Sequence, residues 1–334
     1  ALCPSGVQYE LPAGTQLSTR WHTATGANLM ERHPKPGSRE LVKRLLRREL
    51  TCRAAKGELC LDDGIIRRTL ECERVGFEEK VRFIHWLGSD IICLTPTYVG
   101  SPKQLFRPDE SILAEVDLWI QKTDLFVFAI LDGAFELGVR TFGFQSFLRQ
   151  LQRTPSKVKM FVDRVEKNNK NAASQLAGHG IDGIIIADDI AYKDGLLFRP
   201  QAFNELFLPS LARQIECSSS KGVPVFFHSD GNYCPIIPSL IEVGFSGLHC
   251  IDKNCGMCPD ALLHNYGDAL CLWGHIDATD IELFRRQTES SGLHATLRHM
   301  KKSIADSRFI LGTTSGLYPG MDTAGLKAFL SWLS

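Results

Sequence analysis

The sequence predicts a single (β/α)8 barrel, and three observations carry that prediction. From about residue 56 onward one rhythm repeats: a short β-rich run, a polar or Gly-containing turn, then an amphipathic helical segment. This alternation predicts parallel strands in one sheet, and eight strand–helix units over about 280 residues match the usual size of such a barrel. The rival architecture, an open doubly wound sheet, would carry a G-x-G-x-x-G after its first strand, and none follows there.

A helix is expected near residues 39–48, ahead of the barrel. Strands are expected at 57–61, 90–94, 125–131, 183–187, 223–227, 247–251, 269–273 and 308–311, most of them rich in Ile, Leu, Val, Phe or Cys. Between and after them, helices are expected at 77–87, 145–153, 156–178, 201–219, 235–243, 259–266, 293–307 and 323–333. Pro155, Pro200 and Pro235 mark helix starts, and Gly180, Gly222 and Gly244 follow helix ends. The barrel domain is assigned to residues 37–334, with the barrel itself beginning near residue 55. Residues 1–36 read as a poorly ordered extension; the first 29 show no period and no secretory-signal pattern, and Met30 is the expected natural start.

Composition narrows the function classes. The 334 residues are 44% apolar and 23% charged, with 38 basic and 38 acidic side chains, which predicts a soluble globular protein. Balanced charge gives no electrostatic reason to expect a nucleic acid or an anionic membrane surface as partner. The apolar runs fall far short of the roughly 20 residues that span a bilayer. A cytoplasmic enzyme acting on a small molecule is therefore expected. The 11 cysteines are scattered, which predicts buried reduced thiols; Cys255-x-x-Cys258 lacks the second pair that a zinc finger needs.

A barrel of this kind carries its chemistry at the C-terminal strand ends. Those ends read Glu58 with Asp62 and Asp63, then Asp132 in "LDGAFE", then Asp188, Asp189 and Tyr192 in "IADDIAY". Next come His228 and Asp230 in "FFHSDG", His249 and Asp252 in "HCID", His275 and Asp277 in "GHID", and Thr314 with Ser315 in "GTTSG". His228 and Asp230 are two apart, so both side chains leave the strand on one face and suit a metal pair or a base with its orienting acid. Asp188 and Asp189 are adjacent and face opposite ways, so one is expected in the pocket and the other in a local cap or pair. The expected catalytic set is Asp188, Asp189, His228 and Asp230, and the expected convergence is of His228, Asp230, Asp252 and one of Asp188 and Asp189. Glu58, Asp132, Tyr192, His275, Thr314 and Ser315 are expected to touch substrate. Competing structural readings exist for several: Asp-Gly at Asp132 is also a turn signal, Glu58 also fits a barrel layer, and "GHID" also fits a mere cap of the following helix through Asp277.

Seven stretches in order resemble the uroporphyrinogen decarboxylase superfamily from about residue 41 to the C-terminus: "RRELTCRAAKGELCLDDGII", "GFEEKVRFIHWLGSDIICLTP", "FAILDGAFELGVRTFGF", "GIIIADDIAY", "FFHSDGNYCPIIPSLIEVGFSGLHCID", "YGDALCLWGHID" and "ILGTTSGLYPGM". The branch is similar to the corrinoid and coenzyme M methyltransferases. The heme-pathway decarboxylase opens instead with an arginine-rich stretch that grips porphyrinogen carboxylates. Acids at Glu58, Asp62 and Asp63 would repel such a substrate by about 1 kcal/mol per close pair even in water. The methyltransferases hold zinc through His-x-Cys and a later Cys. Here His228 keeps the histidine, Asp230 replaces the first cysteine, and Thr313, Thr314 and Ser315 stand where the later one would fall. The resemblance thus implies an oxygen-rich zinc site of His228 and Asp230, with Glu58 or Asp252. It implies transfer of a methyl group from a small O-methyl or related substrate to a corrinoid on a partner protein. The corrinoid-binding pattern Asp-x-His-x-x-Gly is absent from the chain. A decarboxylase or lyase in the same barrel and a noncatalytic ligand-binding relative are the alternatives.

Overall fold

The computed structural model describes residues 37–49, 51, 53–101, 105–286, 301–302, 304 and 307–333. Eight parallel strands make one sheet: β1 (Ala55–Lys56), β2 (Ile91–Leu94), β3 (Phe126–Asp132), β4 (Gly183–Ala187), β5 (Val225–His228), β6 (Gly247–Ile251), β7 (Cys271–Ile276) and β8 (Phe309–Thr313). Each pairs with its sequence neighbour from β2 through β8, and β8 returns to β1. The seam between β1 and β2 is held differently. The Asp90 N–H donates to the Lys56 carbonyl at 2.7 Å, and the Asp90 carboxylate accepts from the Lys56 N–H at 2.9 Å, from Arg53 at 2.6 and 2.5 Å, and from the Ser38 hydroxyl at 2.8 Å. The result is a nearly closed barrel.

Alternation along the strands divides the apolar residues into two cores. Ile91, Phe126, Phe128, Ile130, Ile185, Phe226, Trp273 and Ile310 fill the barrel interior, while a larger set including Val127, Phe227, Leu248 and Leu311 packs against the helices. The Trp273 indole N–H donates to the Gly57 carbonyl at 3.0 Å across the interior. That approach requires glycine at 312, where a Cβ would lie 2.1 Å from the same carbonyl oxygen.

Helices and strands depart from the expected bounds in a few places. The helix ahead of the barrel is Ser38–Leu46, and the first strand sits at 55–56, earlier than expected, because Gly57 already turns its carbonyl to Trp273. The expected helix 201–219 is two, Pro200–Leu206 and Leu208–Ser219, since Pro209 cannot donate into the first and instead opens the second. Helices Asp63–Leu70, Ser111–Lys122, Ala134–Phe142 and Ala278–Arg286 were not expected from the sequence pattern. Two short antiparallel pairs also appear, Tyr98–Val99 with Arg107–Pro108 and Ala191–Tyr192 with Gly195–Leu196. The extension over residues 1–36 and most of the expected helix 293–307 lie outside the described residues. No helix among the described residues is long and apolar enough to cross a membrane.

Candidate functional site

The site grows from the ends of β4, β5 and β6. His228 is the last residue of β5, 7% exposed, and inward by the alternation that also turns Phe226 into the barrel. Just past β4, Asp188 and Asp189 diverge. Asp188 is buried, and its Oδ1 accepts the Glu136 N–H at 2.8 Å, at the start of the helix Ala134–Phe142. Asp188 therefore serves as an N-terminal cap, and burial holds its pKa well above the usual carboxylate range. Asp189 points to the barrel mouth. Its Oδ1 accepts the Asp230 N–H at 2.9 Å and lies 3.8 Å from His228 Nε2.

One ligand atom each from Asp189, His228 and Asp230 lies within 4.8 Å of the others, with the histidine buried and both acids exposed. No other set of three His, Cys, Asp or Glu side chains meets so closely among the described residues. One imidazole nitrogen and two carboxylate oxygens at that spacing fit a single zinc ion and leave a coordination position open. Although Asp230 is exposed as a residue, loss of water around its carboxyl pushes its pKa up, as do Asp189 and Asp252, against the pull of His228 and a hydrogen bond with Cys250. Among the described residues, no Lys or Arg forms an ion pair with Asp189 or Asp230.

The remaining sequence-predicted residues are placed as follows. Asp252 sits in the turn after β6, where its Oδ1 accepts the Asn254 N–H at 2.8 Å and its Oδ2 the Cys255 thiol at 3.2 Å, so it stands outside the trio. Glu58 also stands outside it. Its carboxyl is 3% exposed and accepts the Thr313 N–H at 3.3 and 3.1 Å together with the Thr313 hydroxyl, and burial pushes its pKa up to about 7. Asp132 pairs with Arg140 at 2.7 Å, with the guanidinium over the Tyr98 ring. Tyr192 is half exposed on its hairpin, and its carbonyl accepts the Asn232 N–H at 2.9 Å. His275 does not reach the mouth. Gly274 and His275 both take positive φ and break the alternation, and the ring lies against Phe309 in the helix layer, where burial lowers its pKa to about 4. Thr314 and Ser315 line a separate 250 Å3 cavity with Asp277, Thr279 and Tyr318.

The sequence places His249 at the rim but assigns it no role. His249 is fully buried on β6, directly in register with His228 on β5, and the two Nδ1 atoms are 2.8 Å apart. The available signal was the paired placement of "FFH" and "GLH" on neighbouring strands.

A family model described as uroporphyrinogen decarboxylase (URO-D) matches residues 112–333, about two-thirds of the chain. The chain belongs to the uroporphyrinogen decarboxylase family. In solved structures this URO-D chain is similar to a methyltransferase from Methanosarcina mazei, with a TM-score of 0.68, 14% identity, and coverage of 89% of this chain and 98% of the other. It is also similar to a putative vitamin-B12 independent methionine synthase from Listeria monocytogenes, with a TM-score of 0.50, 11% identity, and coverage of 84% and 94%. Both likenesses concern the fold. No curated protein matches the chain in sequence. The family model is named for a decarboxylase, an enzyme. In this URO-D barrel Asp62 Oδ1 caps the helix Asp63–Leu70 through the Ile65 N–H at 3.0 Å, and Glu58 is tied to β8 through Thr313.

Proposed function

We propose that this protein is a metal-assisted methyltransferase that takes a methyl group from a small O-methyl or related substrate and passes it to a corrinoid carried by a partner protein. The observation that carries this reading is the convergence of Asp189, His228 and Asp230 at the strand ends. These three residues would hold zinc, with Glu58 and Asp252 outside the set. When bound, zinc supplies a Lewis acid for the heteroatom that loses its methyl group, a contribution of several kcal/mol for a poor leaving group.

The chain's own residues do the rest. Asp189 fixes the Asp230 backbone and with it the spacing of the two acids. The methyl leaves without the bonding electron pair, which stays on the substrate oxygen, and a proton must then reach that oxygen. Glu58, buried and hydrogen-bonded to Thr313 at the end of β8 with a pKa pushed up to about 7, is the group we assign to hold that proton. A polycarboxylate substrate is disfavoured, because the Arg140 guanidinium is already engaged by Asp132 and the neighbouring groups Glu136 and Asp189 are acids. The described cysteines are free thiols, which supports a reducing, cytoplasmic compartment.

The test is to incubate the protein with a reduced corrinoid, free or protein-bound, and a panel of methyl ethers and methylated amines, following the corrinoid spectrum. Uroporphyrinogen is offered in parallel. Methylation of the corrinoid that is lost in His228→Ala supports the reading. Coproporphyrinogen formation without methyl transfer overturns it in favour of a decarboxylase.

A further inference from the structure

We infer that His249 is a positioning residue that holds His228 in the one tautomer able to bind a metal at the mouth. The inference rests on the metal reading of the trio above and adds a residue to it. His228 presents Nε2 to the acids, 3.8 Å from Asp189 Oδ1, and turns Nδ1 toward His249. An imidazole that ligates through Nε2 must keep that nitrogen free of its proton, so the proton sits on Nδ1. With the two Nδ1 atoms 2.8 Å apart, one must donate and the other accept. The donor is His228, and the acceptor is the bare Nδ1 of His249.

Packing fixes the position of the His249 ring. It faces His228 in register across two hydrogen-bonded parallel strands, and its own carbonyl accepts the Ser229 N–H at 3.1 Å, so the backbones cannot slide apart. Its ring stands edge-on to Trp273 at 5.0 Å and 77°, and Trp273 is itself anchored by its bond to the Gly57 carbonyl. The ring is fully buried, with no carboxylate hydrogen-bonded to it among the described residues. Burial disfavours a charged imidazolium, so the ring is neutral, and its Nε2 has no hydrogen-bond partner among the described residues. Metal-ligating histidines commonly depend on a partner of this kind, and its loss costs about 10- to 100-fold in metal affinity.

The experiment measures zinc affinity of the purified full chain by competition with a chromophoric chelator. The proteins are wild type, His249→Phe, His249→Asn and His228→Ala, and each fold is checked by circular dichroism and thermal melting. Phenylalanine keeps the ring volume but offers no acceptor, so His249→Phe is expected to bind about 10- to 100-fold more weakly. Asparagine can place its carbonyl oxygen near the lost Nδ1, and His249→Asn is expected to recover part of that loss. A wild type that binds zinc while His249→Phe, folded, binds it equally well overturns this inference alone. A wild type that binds no zinc overturns the metal reading, and this inference with it. Equal loss in the Phe and Asn variants assigns His249 to packing and also overturns the inference.

Discussion

At the scale of single residues, burial does more than identity to decide what each acid can do. Asp188 and Asp189 are chemically the same, yet one is sealed as a helix cap and the other opens to the mouth. The sequence shows that the two diverge, because adjacent strand residues face opposite ways. It cannot show which one turns inward, because that depends on where the next helix begins. Glu58 gives a pH prediction. Its folded pKa of about 7 lies above its ordinary value of 4.5, so the folded chain holds the proton more tightly than the unfolded chain. Stability from this group is complete below about pH 4.5 and falls as pH rises through 7, by up to about 3 kcal/mol. Glu58→Gln removes that loss. Urea melts should show the variant gaining on wild type between about pH 5 and about pH 8, whereas a constant difference would mean that Glu58 does not titrate in this range.

At the scale of elements, strands were more legible than helices. Runs such as "GIIIA" and "GLHCI" name their strands through apolar content and turn boundaries. The helix Ala134–Phe142 begins immediately after Asp132-Gly133, where the sequence shows only a turn signal; what starts it is the distant Asp188 carboxylate. His275 was misplaced for a similar reason, since period-2 reasoning fails once Gly274 and His275 adopt positive φ. The cap makes a separable prediction. Asp188→Ala should destabilise the fold by about 1–2 kcal/mol, read from the urea midpoint, while zinc binding stays close to wild type. A folded Asp188→Ala that no longer binds zinc would move Asp188 from the cap to the metal.

At the scale of the whole molecule, eight strand–helix units made the barrel readable, but closure was not. The seam between β1 and β2 depends on Asp90, which gathers Ser38, Arg53 and Lys56 from three places in the chain. Asp90→Ala should therefore cost about 3 kcal/mol and lower the thermal midpoint of the entire cooperative transition. A change below about 1 kcal/mol would show that the seam is held mainly by packing. The trio was legible in part, because His228 and Asp230 share a strand and its parity. One of Asp188 and Asp189 was expected beside them; that it is Asp189, and that Asp252 and Glu58 stand outside, follows from how β4 and β5 lie in the closed sheet. The most direct test of the central claim is zinc quantitation on purified wild type and His228→Ala after loading and removal of free metal. Close to one zinc per chain in the wild type, and little in the variant, is the predicted result. A folded wild type without bound zinc, or a variant that retains it, would contradict the assignment of this rim as a metal centre.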